Sequence, residues 1–375
     1  MASITKRPDS RWRARYRDAA GREHAKHFNR KLDAQRWLDG VTSAVTTGTY
    51  VDPAAGRLTV GEWSTKWIAA RVHLTPKTLA SYDSLLRSRV LPRWSTYQLA
   101  GVRHADVASW LADMRREGLS ASRTRQAYHL LKSILDAAVK DERLARNPAA
   151  GVELPRLKRT ERRYLTHQQV SALGAACGGY APLVLTLAYT GLRWGEATAL
   201  RTRNVDAMRG RLHIVEAVSD VGGKMIIGSP KSHQSRVVPV PRFLRDLLIQ
   251  QISGLAPDDL VFRSPQGAML RVANFRRRVF DRAAASVGLE GLVPHELRHT
   301  AASLAIAAGA TVKGVQEMLG HASATLTLDR YGHLLADELD AVAGRLDAAA
   351  AEARADSVRT NQPAGVLRML SGSPQ

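Results

Sequence analysis

Five short segments, taken in chain order, carry side chains that suit one reaction. They are Thr190-Gly191-Leu192-Arg193-Trp194-Gly195-Glu196, Ser229-Pro230-Lys231-Ser232, His295-Glu296-Leu297-Arg298, Leu319-Gly320-His321 and Tyr331-Gly332-His333. Breaking a phosphodiester by direct attack builds negative charge on the phosphoryl oxygens, and fixed cations must stabilise it where no metal does. Guanidinium groups such as Arg193 and Arg298 suit that task, because they stay charged and present parallel N–H donors to a phosphate. A phenol such as Tyr331 has a pKa of about 10 and must lose its proton to attack. Histidine titrates near neutrality and can accept that proton. The departing sugar oxygen needs a proton, which a positioned lysine such as Lys231 can give. His295 and Arg298 lie three residues apart, so a helix would turn both to one side.

Each segment also has an ordinary structural explanation when read alone. Arg193 can pair with Glu196 across one helical turn. Lys231 can be a hairpin tip, His321 part of a helix C-terminus, and Tyr331 a core aromatic. The stretch His295-Glu296-Leu297-Arg298-His299 also spells H-E-x-x-H, the zinc-protease signature, with Glu317 downstream as a third ligand. That reading sets Arg298 beside a divalent cation, at an electrostatic cost, and gives Arg193, Lys231 and Tyr331 no task. The chain has no G-x-x-x-x-G-K-[ST] loop and no cluster of aspartates. Neither an ATP motor nor a metal-dependent nuclease is expected.

Composition favours a polyanionic partner. Lys and Arg number 55 against 34 Asp and Glu, a formal charge of +21. Charge on this scale repels itself in a compact fold unless a polyanion offsets it, and nucleic acid is the expected partner. With 375 residues the chain is expected to form two or three domains. Cys177 is the single cysteine, which excludes an intrachain disulfide and a multi-thiolate zinc site. No uncharged apolar run is long enough to span a membrane. The start, Met1-Ala2-Ser3-Ile4-Thr5-Lys6, lacks the apolar stretch of a signal peptide. A cytoplasmic location is expected.

The elements that must position these residues follow from periodicity. Residues 1–55 read as a small unit. In Arg11-Trp12-Arg13-Ala14-Arg15-Tyr16-Arg17 the period is two, with Trp12, Ala14 and Tyr16 on one face and Arg11, Arg13, Arg15 and Arg17 on the other. A turn at 18–21 and a strand at 23–28 follow. Leu32, Trp37, Leu38, Val41 and Val45 then suit one face of a helix. Residues 58–148 read as helical, with Thr75-Pro76 as a helix start. The run 119–140 carries Leu130, Leu131, Ile134, Leu135 and Ala138 at helical spacing, with Arg123, Arg125 and Lys132 off that stripe. Asn147-Pro148 stops it. Residues 149–163, with Lys158, Arg159, Arg162 and Arg163, read as a basic interdomain linker. The largest unit spans 164–335. Thr166 and Gln169 have capping-box spacing, and 182–189 is an apolar helix. Strands are expected at 212–218, 224–227 and 236–240, then helices from Phe243, Asn274, Pro294 and Thr311. The fold class is mainly α with small β elements (α+β). The tail, 336–375, begins as an Ala-rich helix and ends with an apolar patch at 366–370.

The order Arg193, Lys231, His295-x-x-Arg298, His321, Tyr331, in its Thr-Gly-Leu-Arg and Leu-Gly-His contexts, closely resembles the tyrosine recombinases, or lambda-type integrases. The resemblance covers about residues 160–335 and extends more weakly to the helical part. It implies a catalytic domain at 164–335 containing a small antiparallel sheet, a helical SAM-like core-binding domain at 58–148 and a β-rich arm-binding domain at 1–55. Tyr331 is then the nucleophile, forming a 3′-phosphotyrosyl link. Arg193 and Arg298 hold the scissile phosphate, His295 handles the tyrosine proton, His321 hydrogen-bonds the phosphate and Lys231 protonates the leaving oxygen. Glu196 supports the site from behind. The implied activity is site-specific integration or excision of a phage or other mobile element in a bacterial host, with no metal and no cofactor. The implied partners are double-stranded DNA at core and arm sites, three further copies in a tetramer, a host DNA-bending protein and an excisionase. Candidate DNA contacts are Arg11, Arg13, Arg15, Arg17, Arg123, Arg125, Lys132, Lys158 and Arg159, and the tail docks on a neighbouring protomer. The alternatives are a DNA-binding regulator of the same fold that does not cut, and the zinc protease.

Overall fold

The computed structural model describes residues 2–17, 21–47, 50, 55–157, 163–230, 235–332, 343–344 and 346–354. Lys158, Arg159, Arg162, Lys231, His333 and the apolar patch at 366–370 lie outside the described residues, as does most of the turn at 18–21. The chain divides into two compact units, Met1–Thr160 and Glu161–Gln375.

The first unit opens with strands β1 (Ser3–Lys6), β2 (Trp12–Arg17) and β3 (Glu23–Phe28), an antiparallel sheet with β2 in the centre. Its two-residue period separates buried Ala14 and Tyr16 from exposed Arg15 and Arg17. Helix α1 (Lys31–Thr46) packs on the sheet through Ala34 and Leu38. Leu32, expected on that face, is 58% exposed. The helix turns Ala34 inward instead, in phase with Leu38, Val41 and Val45.

Five helices follow: α2 (Val60–Ala69), α3 (Pro76–Leu85), α4 (Leu91–Trp94), α5 (His104–Arg116) and α6 (Ala121–Lys140). Three starts have clear local causes. Thr59 and Glu62 form a reciprocal capping box on α2, Thr75 caps α3 with Pro76 in its first turn, and Ser120 caps α6. A π-helical turn at Leu86–Val90 joins α3 to α4. The core is built on Trp63, Trp67, Trp94, Trp110 and the buried stripe of α6, Leu131, Ile134, Leu135 and Ala138. The Trp63 indole N–H donates to the Ile134 carbonyl at 2.9 Å, which ties α2 to the middle of α6.

The second unit begins with α7 (His167–Ala176), α8 (Ala181–Thr190) and α9 (Trp194–Thr198). The Thr166–Gln169 capping box forms as its spacing predicts. Strands β4 (Val205–Asp206), β5 (Arg211–Ile214), β6 (Ala217–Val221), β7 (Lys224–Gly228) and β8 (Arg236–Pro239) come next. They make two antiparallel sheets, ordered β4-β5-β8 and β6-β7. The single strand expected at 212–218 is therefore two. The break falls at Val215 and Glu216, where the Glu216 carboxylate turns aside to Arg201 at 3.4 Å. The remaining helices are α10 (Arg242–Ile252), α11 (Val272–Phe275), α12 (Asp281–Ser286), α13 (Glu296–Ala307), α14 (Val312–Leu319) and α15 (Ala324–Tyr331). The main core gathers Leu173, Leu183, Leu187, Leu212, Val238, Leu244, Phe280 and Leu297. A smaller cluster of Ala302, Ile306, Val315, Leu319 and Tyr331 ties α13, α14 and α15 together. Among the described residues no helix is long and apolar enough to cross a membrane.

Candidate active site

Two helix ends bring the arginines together. Helix α8 ends at Gly191, which adopts a left-handed φ of +64°. A Cβ there would stand 2.4 Å from Leu319 Cδ2, so the α8 end and the α14 end meet only through glycine. Helix α14 likewise ends in left-handed Gly320, φ +64°. These ends leave carbonyls unpaired within their own helices, and the guanidinium groups take them. Arg298 donates through Nη1 to Gly191 O and through Nη2 to Leu319 O, the latter at 2.6 Å. Arg193 donates through Nη2 to Gly320 O at 3.2 Å. His321 follows directly.

The charges are arranged around one carboxylate. Glu196 has a fully buried side chain. Its Oε1 accepts from Arg193 Nη1 at 2.9 Å and from Arg236 Nη1 at 3.0 Å, and its Oε2 accepts from Arg236 Nη2 at 2.7 Å and from the Arg193 backbone N–H at 2.9 Å. Arg236 Nε reaches the Met318 carbonyl at 3.1 Å. Arg193 and Arg236 are thus paired with the Glu196 carboxylate, and Arg298 lies close enough to feel the charge of all three. Burial first, and then the charge of Arg193, pushes the Arg298 pKa down. A guanidinium keeps its proton nonetheless, so the group has a positive charge that an anion would stabilise.

A ring circuit completes the site. The Tyr331 hydroxyl and His299 Nδ1 are 2.8 Å apart. His299 meets the His295 ring edge-on at 5.5 Å between centroids, and His321 lies parallel to Tyr331 at 6.4 Å. His321 Nδ1 bonds the Thr327 hydroxyl at 2.9 Å, while its buried Nε2 has no hydrogen-bond partner. Burial, followed by the charge of Arg298, lowers His321 to about 4. Burial, followed by the charges of Arg298, Arg193 and Arg330, lowers His295. Both rings are therefore held neutral beside a cationic patch.

Of the expected residues, Arg193, Glu196, His295, Arg298, His321 and Tyr331 come together. Two others join them that sequence reasoning passed over. Arg236 had been read only as the start of a strand. Its signal was phase: it shares a strand face with fully buried Val238, so a charge sits where an apolar residue belongs. His299 had been read only as the last letter of H-E-x-x-H. In that motif Glu296 instead accepts from the Val293 backbone N–H at 2.8 Å, and Glu317 pairs with Lys313 at 3.3 Å on the surface. Among the described residues no group of three or more His, Cys, Asp or Glu is placed to hold a metal ion.

The candidate DNA contacts divide. Arg13 and Arg15 lie 3.4 and 3.9 Å from Glu23 across the N-terminal sheet, and Arg15 also donates to Ser3. Lys132 is paired with Asp136 at 2.8 Å, and Asn147 donates to the same carboxylate. Arg125 donates to the Pro155 carbonyl and Arg123 to Gln126.

Comparison with known proteins points to one family. Residues 163–338 match the phage integrase family. The integrase of Mycobacterium phage L5 is 27% identical over 317 residues, covering 80% of this chain and 84% of that protein. A prophage phiRv2 integrase of Mycobacterium tuberculosis is 28% identical over 338 residues, covering 86% and 88%. The tyrosine recombinase XerC of Corynebacterium efficiens is 28% identical, covering 70% and 82%. Residues 163–338 are thus a domain of the phage integrase family, and the relatives that match most of the chain are integrases and tyrosine recombinases. Solved structures agree on the recombinase fold. The Tn1549 transposon integrase in complex with a circular intermediate DNA superposes with a TM-score of 0.67 at 21% identity, over 77% of this chain and 99% of that one. A lambda integrase tetramer bound to a Holliday junction gives 0.57 at 20% identity, over 86% and 96%. The chain therefore shares its mainly helical architecture with them.

Proposed function

We propose that the chain integrates or excises a mobile element by metal-free cleavage and rejoining of DNA through a 3′-phosphotyrosyl bond to Tyr331. The observation that supports this most is the convergence at the α14 end. Arg298 and Arg193 hang on consecutive carbonyls, Leu319 and Gly320, and the next residue, His321, stacks on Tyr331. A phosphate seated there would meet two guanidiniums and the free Nε2 of His321. Those donors stabilise the charge that grows as the phosphoryl group is attacked.

In this reading Tyr331 attacks, Arg193 and Arg298 hold the phosphate, and His321 donates to it once its ring carries the proton on Nε2. By the family resemblance His295 handles the Tyr331 proton, and Lys231 protonates the 5′-oxygen that leaves. Glu196 and Arg236 hold Arg193 in place. The covalent bond conserves the energy of the broken phosphodiester, so rejoining needs no nucleotide. The N-terminal sheet binds arm sites, the helical stretch 58–148 binds core sites across the linker at 149–163, and four protomers exchange strands. The site of action is the bacterial cytoplasm, on DNA. Candidate accessory partners are a host DNA-bending protein and an excisionase.

The test is recombination of a plasmid carrying two attachment sites, in chelator. Wild type recombines, and Arg193→Ala, Arg298→Ala and Tyr331→Phe each fall below detection while still binding the core site. Undiminished recombination by any of the three contradicts the assignment, and recombination that requires added metal contradicts the mechanism.

A further inference from the structure

His299 stands between His295 and Tyr331. It lies one position past Arg298 and four past His295 on α13, so it shares the His295 side of the helix. Its edge meets His295, and its Nδ1 bonds the Tyr331 hydroxyl at 2.8 Å. That distance is within reach for direct proton transfer. The groups around this pair come from three elements: His295 at the N-cap of α13 and Arg298 within it, Tyr331 and Arg330 from α15, and His321 from the turn after α14. The cations among them act on His295 and His321 as well, and those two rings are kept neutral beside the arginines.

We infer that His299, in place of His295, is the catalytic group that takes the phenolic proton of Tyr331. The inference rests on the reading of Tyr331 as nucleophile. The step balances as follows. The Tyr331 oxygen forms a bond to phosphorus while the bond from phosphorus to the 5′-oxygen breaks. The phenolic proton passes to His299 Nδ1, which requires the neutral ring to carry its own proton on Nε2. The 5′-oxygen takes its proton from Lys231. In the reverse step His299 returns a proton to the phenolate as the 5′-hydroxyl reattacks. His295, one turn earlier beside Arg298, is left to face the phosphate.

The experiment is single-turnover cleavage of nicked duplexes carrying the core site, from pH 5.5 to 9. It compares wild type, His299→Asn, His299→Gln, His299→Ala, His295→Asn and Tyr331→Phe. Core-site affinity and unfolding midpoints serve as controls for folding. Asn places a polar atom near the Nδ1 position but cannot titrate. Loss of a general base lowers the rate by about 100-fold or more. We expect that loss in His299→Asn and His299→Gln, with the rate still climbing at pH 9 toward the phenol's own range of about 10. Added imidazole should restore part of the His299→Ala rate, whereas His295→Asn should keep the wild-type pH profile. His299→Asn or His299→Gln cleaving with the wild-type rate and profile overturns the inference, as does imidazole rescue confined to His295 variants. An adduct that persists in Tyr331→Phe would instead remove the nucleophile reading on which the inference stands.

Discussion

The Arg236 guanidinium grips both oxygens of the Glu196 carboxylate, at 3.0 and 2.7 Å, forty residues away along the chain. Burial pushes the Glu196 pKa up, but Arg236 first, and then Arg193, more than offset this, and the carboxyl lies below its ordinary 4.5. A depressed folded-state value means that this stabilisation is fully present above pH 4.5 and is lost as pH falls through the folded value. Removing one partner of a buried pair costs about 3–5 kcal/mol, because the other charge is stranded. Glu196→Ala should lose that much in urea unfolding at pH 7, and Glu196→Gln should flatten the acid limb. A change under about 1 kcal/mol in Glu196→Ala would show that the carboxylate is not a keystone.

Gly191→Ala is expected to unsettle Arg298. The left-handed backbone costs a non-glycine residue about 1–3 kcal/mol, and the new methyl would lie 2.4 Å from Leu319 Cδ2. Since Gly191 O accepts from Arg298, cleavage should fall along with the unfolding midpoint. Pairing it with Leu319→Ala opens space for the methyl, so the double variant should be less destabilised than the two losses added. Strict additivity would place the cost in the backbone alone.

His321 gives a second pH window. Its folded value of about 4 lies below the ordinary 6.5. The unfolded chain therefore takes up a proton that the folded chain refuses, and stability falls as pH drops from 6.5 toward 4. His321→Asn should flatten stability across that window, measured by urea midpoints at half-unit steps. An unchanged slope would mean that the ring titrates in place.

The N-terminal sheet predicts a separable activity. Deleting residues 1–55 should abolish arm-site binding and spare core-site binding. Arg11→Ala and Arg17→Ala should each lower the slope of log affinity against log salt by about 0.9 if each neutralises one phosphate. Equal loss at both kinds of site would contradict an arm-binding role.

Much of this molecule could be read before its structure, for local reasons. Thr75-Pro76 and the Thr166–Gln169 pair act within one turn, so their helix starts are written in adjacent letters. The arginine strand shows itself by a period of two. Other features depend on partners distant in sequence. Nothing around residue 299 states that its ring will meet a tyrosine 32 positions later. The Arg236–Glu196 pair bridges a strand and a helix, and only the fold supplies that meeting. Leu212 and Ile214 set an inward period of two that Glu216 does not keep, and the strand divides there with the Glu216 carboxylate paired to Arg201. Tertiary ion pairs of this kind override local pattern.

The most direct measurement is covalent trapping on nicked duplexes from the attachment region, so that the cleaved end diffuses away. Wild type and Tyr331→Phe are incubated in chelator and resolved in detergent, and the adduct is digested to locate the modified peptide. The account predicts an adduct with wild type alone, carried on the peptide that contains Tyr331. An adduct that survives Tyr331→Phe, or that maps to another residue, would contradict it.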